Sequence, residues 1–160
     1  MKHVSTPIEL KAGINSVTFG QGVKYIAPCN LYECNIGDYC FIGPFVEIQK
    51  GVTVGKNCKI QSHSFICELV SVGHDVFIGH GVMFINDTFQ NNGPAGGRKE
   101  LWTSTKVGNH VSIGSNATIL PVNICDHTVI GAGAVITKDI TEPGVYCGNP
   151  AKKIKDIATP

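Results

Sequence analysis

The chain has 160 residues, 42% of them hydrophobic and 16% charged, which suits one globular domain with a real core and excludes a disordered chain. The 13 Lys and Arg against 12 Asp and Glu leave a net charge of +1. With positive and negative charges so nearly equal in number, the protein has no excess of positive charge to attract a polyanion. We therefore expect neither nucleic acid nor a membrane among the partners.

Cysteine usage and apolar stretches bear on the compartment. The seven cysteines are an odd number and lack the paired spacing of a zinc site or a compact disulfide framework. The first nine residues contain no apolar segment typical of a signal peptide, and every later apolar stretch is interrupted before it reaches membrane-spanning length. We therefore expect a soluble, cytoplasmic protein.

In chain order, residues 1–30 form an irregular start, and a six-residue repeat follows. From Ile36 to Phe84 an aliphatic residue, or once a phenylalanine, recurs every six residues, and the spacing of six resumes at Val107 and again at Ile124. We call these residues the anchors. Such a run predicts a buried stripe. The anchors are Ile36, Ile42, Ile48, Val54, Ile60, Ile66, Val72, Ile78, Phe84, Val107, Ile113, Ile119, Ile124, Ile130 and Ile136.

Two residues before each anchor stands a small or β-branched residue, such as Cys40, Cys58 or Ser64, and we expect this position also to face the interior. A glycine often follows the anchor, as at Gly37 and Gly79. A sharp turn with positive φ there would favour glycine. Each repeat is thus predicted to be a short strand followed by a corner.

A period of six matches neither the 3.6 of a helix nor a single alternating strand, and it indicates an all-β solenoid of stacked strands bent at corners. Three repeats close one coil. The anchors then form ladders through the interior, and neighbouring coils pair their backbones. We expect a single β-helix domain over residues 1–160.

Three stretches depart from the repeat. Residues 88–106 form a long inserted loop, and long loops inside compact domains tend to be functional. The segment Leu120–Cys125 is one residue short. Residues 142–160 lose the repeat and are predicted to cap the solenoid, with a helix as one form of that cap.

Several stretches resemble the hexapeptide-repeat acyltransferases that fold as left-handed parallel β-helices. The general resemblance rests on Ile113–Pro121 (IGSNATILP), Ile130–Val135 (IGAGAV) and Gly148–Lys152 (GNPAK). A narrower resemblance, to N-acetyltransferases acting on dTDP- or UDP-linked 3-amino sugars, rests on Gly43–Lys50 (GPFVEIQK), Lys59–Glu68 (KIQSHSFICE) and Gly79–Asp87 (GHGVMFIND).

This resemblance implies left-handed coiling, acetyl-CoA as acyl donor, a nucleotide-linked amino sugar as acceptor, and a homotrimer with its sites between subunits. We expect no metal. The family usually continues Leu-Pro-Gly-Val-x-Ile-Gly after the position of Ile119. Here Leu120–Cys125 is shorter and lacks both glycines. The CoA contacts that family members make near this point therefore cannot be assigned to residues 120–126 of this chain.

Lys50, Glu68 and Asn86 are each two residues after an anchor and 18 apart, so on uninterrupted coils they stack about 4.8 Å from one another. A solvated column of corner residues is the alternative to a site. The resemblance implies that Asn86 orients the acceptor amine, that Glu68 shares this catalytic role, and that Asp87 binds substrate. Lys50 could meet the pyrophosphate.

The loop and two histidines complete the acceptor side. In the family the loop reaches across a subunit boundary, so Arg98 is expected to touch a phosphate and Trp102 to wall the cleft. The alternative is that the loop is a surface insertion without a role in binding, and that Trp102 only packs it against the rest of the protein. His80, two residues after an anchor, is a candidate general base or site-lining residue. His63 is a candidate substrate contact, and a surface imidazole is the alternative.

The donor side is assigned by the same resemblance. Backbone amides after the anchors are expected to hold the pantetheine and the thioester, and an amide aimed at the thioester oxygen would stabilise its developing charge. Lysines at the capping end are expected to contact the phosphates. The residues are Gly114, Ser115, Gly131, Ala132, Lys138, Asn149, Lys152 and Lys153.

Other classes remain open at this point. An O-acetyltransferase would use a histidine base on a sugar hydroxyl. A γ-carbonic anhydrase-like enzyme would need three histidines around zinc with a fourth position open, and His74 and His80, six residues apart, should lie on adjacent sides of one coil. A non-catalytic scaffold would bind neither CoA nor a nucleotide sugar.

Overall fold

The computed structural model describes residues 8–157 as short strands stacked in three sheets. Within the solenoid all neighbouring strands run parallel. The chain passes from the first sheet to the second, then to the third, and returns to the first one coil higher. This confirms the predicted β-solenoid.

The strands alternate among three sheets, which we call A, B and C. Sheet A contains β1 (Ile14–Asn15), β4 (Asn30–Tyr32), β7 (Glu47–Ile48), β10 (Phe65–Ile66), β13 (Met83–Phe84), β16 (Thr118–Ile119) and β19 (Val135–Ile136). Sheet B contains β2 (Thr18–Phe19), β5 (Asn35–Ile36), β8 (Thr53–Val54), β11 (Val70–Val72), β14 (Thr105–Val107) and β17 (Asn123–Ile124). Sheet C contains β3 (Lys24–Tyr25), β6 (Phe41–Ile42), β9 (Lys59–Ile60), β12 (Phe77–Ile78), β15 (Ser112–Ile113), β18 (Thr128–Ile130), β20 (Gly144–Gly148) and β21 (Ala151–Lys155).

The predicted anchors line the interior. Every one of them is buried, and in-register pairing stacks anchor on anchor, as in Ile42, Ile60 and Ile78 of sheet C. The small residues two positions earlier are buried as well. Those with a polar group bond to a corner carbonyl: Ser64 Oγ donates to Gly79 O at 2.8 Å. The repeat thus specifies the core.

The expectation of positive φ at the glycine after each anchor is wrong. Positive φ falls two residues later, at Tyr39, Phe45, His63, Leu69 and Gly81, for example. Most of these residues are not glycine, so the repeat accepts left-handed backbone from ordinary side chains at this point.

The glycines after the anchors serve close packing instead. A Cβ on Gly37 would lie 2.7 Å from the carbonyl carbon of Gly55 in the next coil, and one on Gly79 would lie 2.7 Å from the Ser115 nitrogen. Real Cβ atoms do not approach backbone so closely, which makes a side chain there cost a backbone shift. Corner-to-corner contact is therefore the reason for this glycine column.

The solenoid begins earlier than the repeat indicates. Strands β1 to β3 form a first coil within the stretch expected to be irregular, and residues 1–7 lie outside the described part. Leu31 is the buried anchor of β4, five residues before Ile36 rather than six. Pairing partners in these first coils are accordingly 17 apart, as in Leu31 with Ile48.

The one-residue shortening after Ile119 is absorbed inside a corner. Ile124 still pairs with Val107 and Val122 remains buried, so β17 keeps its place in sheet B. The inserted loop spans residues 85–104, between β13 and β14, slightly earlier than the predicted 88–106, because Thr105–Val107 is a strand. It contains a 3₁₀ turn, Lys99–Leu101.

The C-terminal cap is a β-hairpin, and the helical alternative is wrong for the described residues. Strand β20 adds to sheet C in parallel beside β18, and β21 pairs antiparallel with β20. Residues 158–160 lie outside the described part. No helix within residues 8–157 is long and apolar enough to cross a membrane.

All seven cysteines carry free thiols. Cys29, Cys34, Cys40 and Cys58 are buried as expected, and Cys67 is buried too, although it lies outside the inward position. Burial raises the pKa of the Cys67 thiol to about 12 and that of Cys34 to about 11, so neither is a thiolate at neutral pH.

Candidate functional site

Three corners connect the sheets, and we name them after the sheets that they join. The A–B corner holds Lys50, Glu68 and Asn86, each two residues after an anchor of sheet A. The B–C corner holds His74, Asn109 and Asp126, and the C–A corner holds Ser62, His80, Ser115 and Ala132, at the corresponding positions. The predicted acceptor and donor residues therefore belong to different corners.

At the A–B corner the structure brings Asn86 and Glu68 together. The Asn86 side-chain amide donates to the backbone oxygen of Glu68 at 3.2 Å. That bond directs the side-chain nitrogen toward the coil below, and the side-chain oxygen of Asn86 accepts no hydrogen bond from residues 8–157. Both residues are half-buried, and the inserted loop begins at this level.

The two charged members of this column have different partners from those expected. Lys50 Nζ lies 2.6 Å from Glu33 Oε2, one coil earlier, and this hydrogen bond raises the pKa of Lys50. Glu68 is bound instead by Lys99 of the loop, whose Nζ lies 2.6 and 2.9 Å from the two carboxylate oxygens. Both charged members of the column are thus held in ion pairs within the chain.

The loop is held by its own polar groups. Asp87 accepts the backbone amide of Ala95 at 2.7 Å through one oxygen and that of Phe89 at 3.0 Å through the other. Arg98 is exposed, and its Nε donates to Ala95 O at 3.2 Å. Trp102 is half-buried, with Lys99 Nζ 5.3 Å from its ring centroid. Asp87 therefore shapes the loop.

The C–A corner places His80 between two serines. His80 Nδ1 lies 2.9 Å from Ser62 Oγ below, and the His80 backbone amide donates to Ser115 Oγ above at 3.2 Å. This leaves Nε2 as the ring nitrogen open to a ligand. His63, one position further along its own corner, is exposed and stacks on Phe45 with ring centroids 4.8 Å apart.

The four backbone amides predicted for the donor divide into two classes. The Gly114 amide donates to Ile130 O at 2.7 Å and the Gly131 amide to Tyr146 O at 2.8 Å, so both are used between coils. The amides of Ser115 and Ala132 have no acceptor among residues 8–157. Ser115 and Ala132 are therefore the amides that a ligand can use.

The basic groups expected for the donor phosphates are dispersed. Lys138 is exposed at the A–B corner, two residues after Ile136, rather than beside Ser115. Lys153 lies 2.7 Å from Asp156 and 3.4 Å from Glu142, and the first contact raises its pKa. Lys152 and Asn149 are exposed on the C-terminal hairpin. Lys153 thus has two carboxylate partners in a single chain.

The B–C corner shows what a purely structural polar column looks like. Asp38, His74, Asn109 and Asp126 each accept the backbone amide of the corner residue one coil below, at 2.7 to 3.0 Å. Lys56, which cannot accept a hydrogen bond, interrupts the series. These side chains bond the backbone amides of Gln21, Lys56, His74 and Asn109.

The same corner bears on the zinc hypothesis. His74 lies at the B–C corner and His80 at the C–A corner, on different edges of the prism as expected. Within residues 8–157 no group of three His, Cys, Asp or Glu side chains is placed to hold a metal ion.

The acceptor and donor corners of one chain are far apart. They lie at the two ends of a sheet A strand, six residues from His80 to Asn86, which corresponds to at most about 20 Å. Reacting atoms must approach to about 3 to 3.5 Å. Within one chain the two corners therefore stand at opposite ends of the sheet A strands rather than side by side.

Sequence reasoning missed Lys99 and Ser62. Lys99 lies inside an irregular loop, so no period relates it to Glu68, 31 residues earlier. Ser62 could have been found, since it is 18 residues before His80 and stacks beneath it by the period alone.

Two protein-family models match the chain and confirm the hexapeptide repeat. Residues 33–68 match the bacterial transferase hexapeptide (six repeats), and residues 104–138 match the hexapeptide repeat of succinyl-transferase. Both matched stretches fall within the stacked coils and leave out the loop, the first coil and the C-terminal hairpin.

Relatives and solved structures agree on this fold. The bifunctional protein GlmU of Streptococcus uberis is 31% identical over 95% of the chain, but the chain spans only 30% of that relative's length. A point mutant of AntD, an N-acyltransferase from Bacillus cereus, in complex with dTDP and coenzyme A, has a TM-score of 0.60 at 18% identity over 88% of this chain and 83% of that one. A maltose O-acetyltransferase from Clostridium difficile 630 has a TM-score of 0.50 at 22% identity, covering 89% and 67%.

Proposed function

We propose that this hexapeptide-repeat protein is an N-acyltransferase that moves an acetyl group from acetyl-CoA to the amine of a nucleotide-linked amino sugar of the 3-amino-3,6-dideoxyhexose type. The observation that carries the proposal is the A–B corner, where Asn86 and Glu68 present a free amide oxygen and a carboxylate beside the inserted loop. An amine is the group that both acceptors can hold through N–H donors.

The donor is proposed to bind at the C–A corner. The uncapped amides of Ser115 and Ala132 can donate to the pantetheine amide and to the thioester carbonyl. Donors that are already oriented stabilise the oxygen charge that develops as the amine attacks, at no cost in reorganisation. The thiolate of CoA leaves as the tetrahedral intermediate collapses, and no covalent enzyme intermediate is needed.

Assembly of the two corners requires more than one chain. Because the A–B and C–A corners of one chain lie at opposite ends of each sheet A strand, we propose that the A–B corner of one subunit faces the C–A corner of the next, as three sites in a homotrimer. Holding amine and thioester in line in this way can lower the barrier by about 7 to 11 kcal/mol. Light scattering on the purified protein should give the mass of three chains.

The comparisons support this substrate class by analogy. AntD is described as an N-acyltransferase and was crystallised with dTDP and coenzyme A, and its fold matches most of this chain. A reaction that draws on acetyl-CoA belongs in the cytoplasm, which also suits seven free thiols. Its product would serve the synthesis of a surface polysaccharide or another glycan.

A second candidate, O-acetylation of a sugar hydroxyl, is favoured by one observation. His80 is held by Ser62 through Nδ1, which presents Nε2 as a base at the corner that carries the uncapped amides. A hydroxyl needs such a base in the transition state, whereas an amine that is already partly neutral near pH 7 needs it less. His80→Ala should therefore abolish O-acetylation and only reduce N-acetylation.

The test is release of free thiol from acetyl-CoA in the presence of dTDP- and UDP-linked 3-amino and 4-amino sugars, with their hydroxyl counterparts as comparison. Turnover on an amino sugar should fall about 100-fold or more in Asn86→Ala, as when an oriented transition-state partner is removed. Asn109→Ala is the matched control, because Asn109 bonds only within the B–C corner. No thiol release on any acceptor would refute the proposal, and release on hydroxyl sugars alone would favour the second candidate.

A further inference from the structure

The Glu68 carboxylate lies in a site that the protein's own lysine fills. Glu68 is half-buried, with 17% of its side chain exposed, and both of its oxygens lie within 2.9 Å of Lys99 Nζ. The same ammonium group lies 5.3 Å from the centroid of the Trp102 ring. A carboxylate on one side and an aromatic ring on the other together form a binding site for an ammonium ion.

We infer that the acceptor's amine enters this site as an ammonium ion by displacing Lys99, and that it then passes one proton to the Glu68 carboxylate, so that the neutral amine has a lone pair with which to attack the thioester. The inference rests on the proposed function, because it identifies where that acceptor binds. The Asn86 side chain donates to the Glu68 backbone oxygen at 3.2 Å, so the two residues proposed to hold the amine occupy stacked, bonded positions of one corner.

The exchange is balanced for an amine and unfavourable for an alcohol. One ammonium replaces another, so the half-buried carboxylate of Glu68 stays paired throughout. A neutral hydroxyl would leave that carboxylate without its counter-ion, which is costly when water has restricted access. A sugar with a hydroxyl in place of the amine therefore leaves Lys99 where it is.

The loop is built so that the Lys99 side chain can leave without unfolding its surroundings. On one side of Lys99, Asp87 holds the Ala95 amide at 2.7 Å, and on the other, the Thr103 amide donates to Asn86 O at 2.9 Å. The Lys99 side chain itself is 56% exposed. Its displacement therefore needs only a change of rotamers in a flexible, solvated side chain.

Binding without acetyl-CoA tests the inference directly. Trp102 is the only tryptophan in the chain, so its fluorescence reports the removal of Lys99 from the ring. The probes are a dTDP-linked 3-amino-3,6-dideoxyhexose and the same nucleotide sugar with a hydroxyl at that carbon. We expect the amino sugar to shift the fluorescence of the wild-type protein to that of Glu68→Gln, in which Lys99 is released, and the hydroxyl sugar to leave it unchanged.

Lys99→Met gives the second measurement. Removing Lys99, the exposed partner of this ion pair, removes the internal competitor and should lower Kd for the amino sugar about two- to fivefold, while Kd for the hydroxyl sugar stays unchanged. Lys106→Met is the matched control, because Lys106 is an exposed lysine on β14 and takes no part in the site. An unchanged or weaker Kd for the amino sugar in Lys99→Met would overturn the inference, as would equal fluorescence responses to the two sugars.

The two proposals can fail separately. If the amino sugar displaces Lys99 but no thiol is released with acetyl-CoA, the transfer reaction is refuted and the ammonium site stands. If thiol is released with the same KM in wild type and Lys99→Met, the transfer reaction stands and the ammonium site is refuted. Absence of binding by either sugar to both proteins would refute both proposals.

Discussion

The B–C and C–A corners are built from the same six-residue repeat, yet they use their polar groups in opposite ways. At the B–C corner, side chains such as Asn109 and Asp126 accept the backbone amide of the coil below, so the amides of His74 and Asn109 are already bonded within the chain. At the C–A corner, Ser115 caps His80 in this manner, but Ala132 has no side-chain acceptor with which to cap Ser115. A column of polar residues is thus structural where it bonds to backbone and available to ligands where that bonding stops.

The largest expected effect comes from completing the C–A corner. In Ala132→Ser the new hydroxyl stands where Ser115 stands one coil earlier, and Ser115 Oγ reaches the amide below it at 3.2 Å. It should therefore cap the Ser115 amide and remove one donor from the thioester, with a fall in kcat of about 100-fold. The rate of thiol release at saturating acetyl-CoA measures this change in kcat.

The control for Ala132→Ser is Ala132→Gly, which adds no acceptor and should retain most of the activity. Urea unfolding should show that Ala132→Ser is at least as stable as wild type, because a capped amide is satisfied. Full activity in Ala132→Ser would contradict the assignment of the Ser115 amide to the donor.

The converse change removes a cap from the B–C corner. Asp126 accepts the Asn109 backbone amide at 2.8 Å and its side-chain amide at 3.2 Å. Asp126→Ala should lower the free energy of unfolding by about 1 to 2 kcal/mol, as loss of other side-chain caps does. Activity should stay within about twofold of wild type, since this corner takes no part in the proposed site. An Asp126→Ala protein that is stable but inactive would contradict the division between the corners.

Protonation of the Asp126 carboxylate should change the free energy of unfolding less than its removal does. The hydrogen bond from the Asn109 backbone amide lowers the pKa of Asp126 in the folded protein. The charged carboxylate therefore stabilises the folded protein fully at pH values above its pKa in the unfolded chain, which is about 3.9. This stabilisation is lost as the pH falls through the lower pKa of the folded protein. The difference in unfolding free energy between wild type and Asp126→Ala should therefore shrink from pH 6 to pH 3. A constant difference over that range would show that the carboxylate charge contributes nothing.

Much of the fold could be predicted because burial follows the period. The anchors from Ile36 to Ile136 lie where the six-residue spacing places them, and so do the small inward residues. The first coil escaped detection because its spacing is one residue shorter at Leu31 and because its anchors Phe19 and Tyr25 are aromatic and partly exposed. A single missing residue shifts a period without disturbing the pairing of the strands.

The candidate site was harder to predict than the fold. The stacking of Asn86 over Glu68 follows from a spacing of 18, and the structure shows the two residues in contact. Lys99 does not follow from any spacing, since the loop that carries it is irregular. The separation of Gly114 and Gly131 from Ser115 and Ala132 depends on which amides face a carbonyl one coil higher, and residue type does not encode this.

The smallest expected effect concerns Lys50, which the sequence assigns to the pyrophosphate. Lys50 pairs with Glu33 at 2.6 Å, and both side chains are about half exposed, at 54% and 47%. An exposed cation of this kind contributes little to binding, so Lys50→Met should raise KM for the nucleotide sugar about two- to fivefold and leave kcat unchanged. Lys50→Arg should keep the wild-type KM because it retains the charge. Lys56→Met, at the equivalent position of the B–C corner, is the matched control. Equal KM values for Lys50→Met and Lys56→Met would show that Lys50 only forms its ion pair with Glu33 and does not bind the nucleotide sugar.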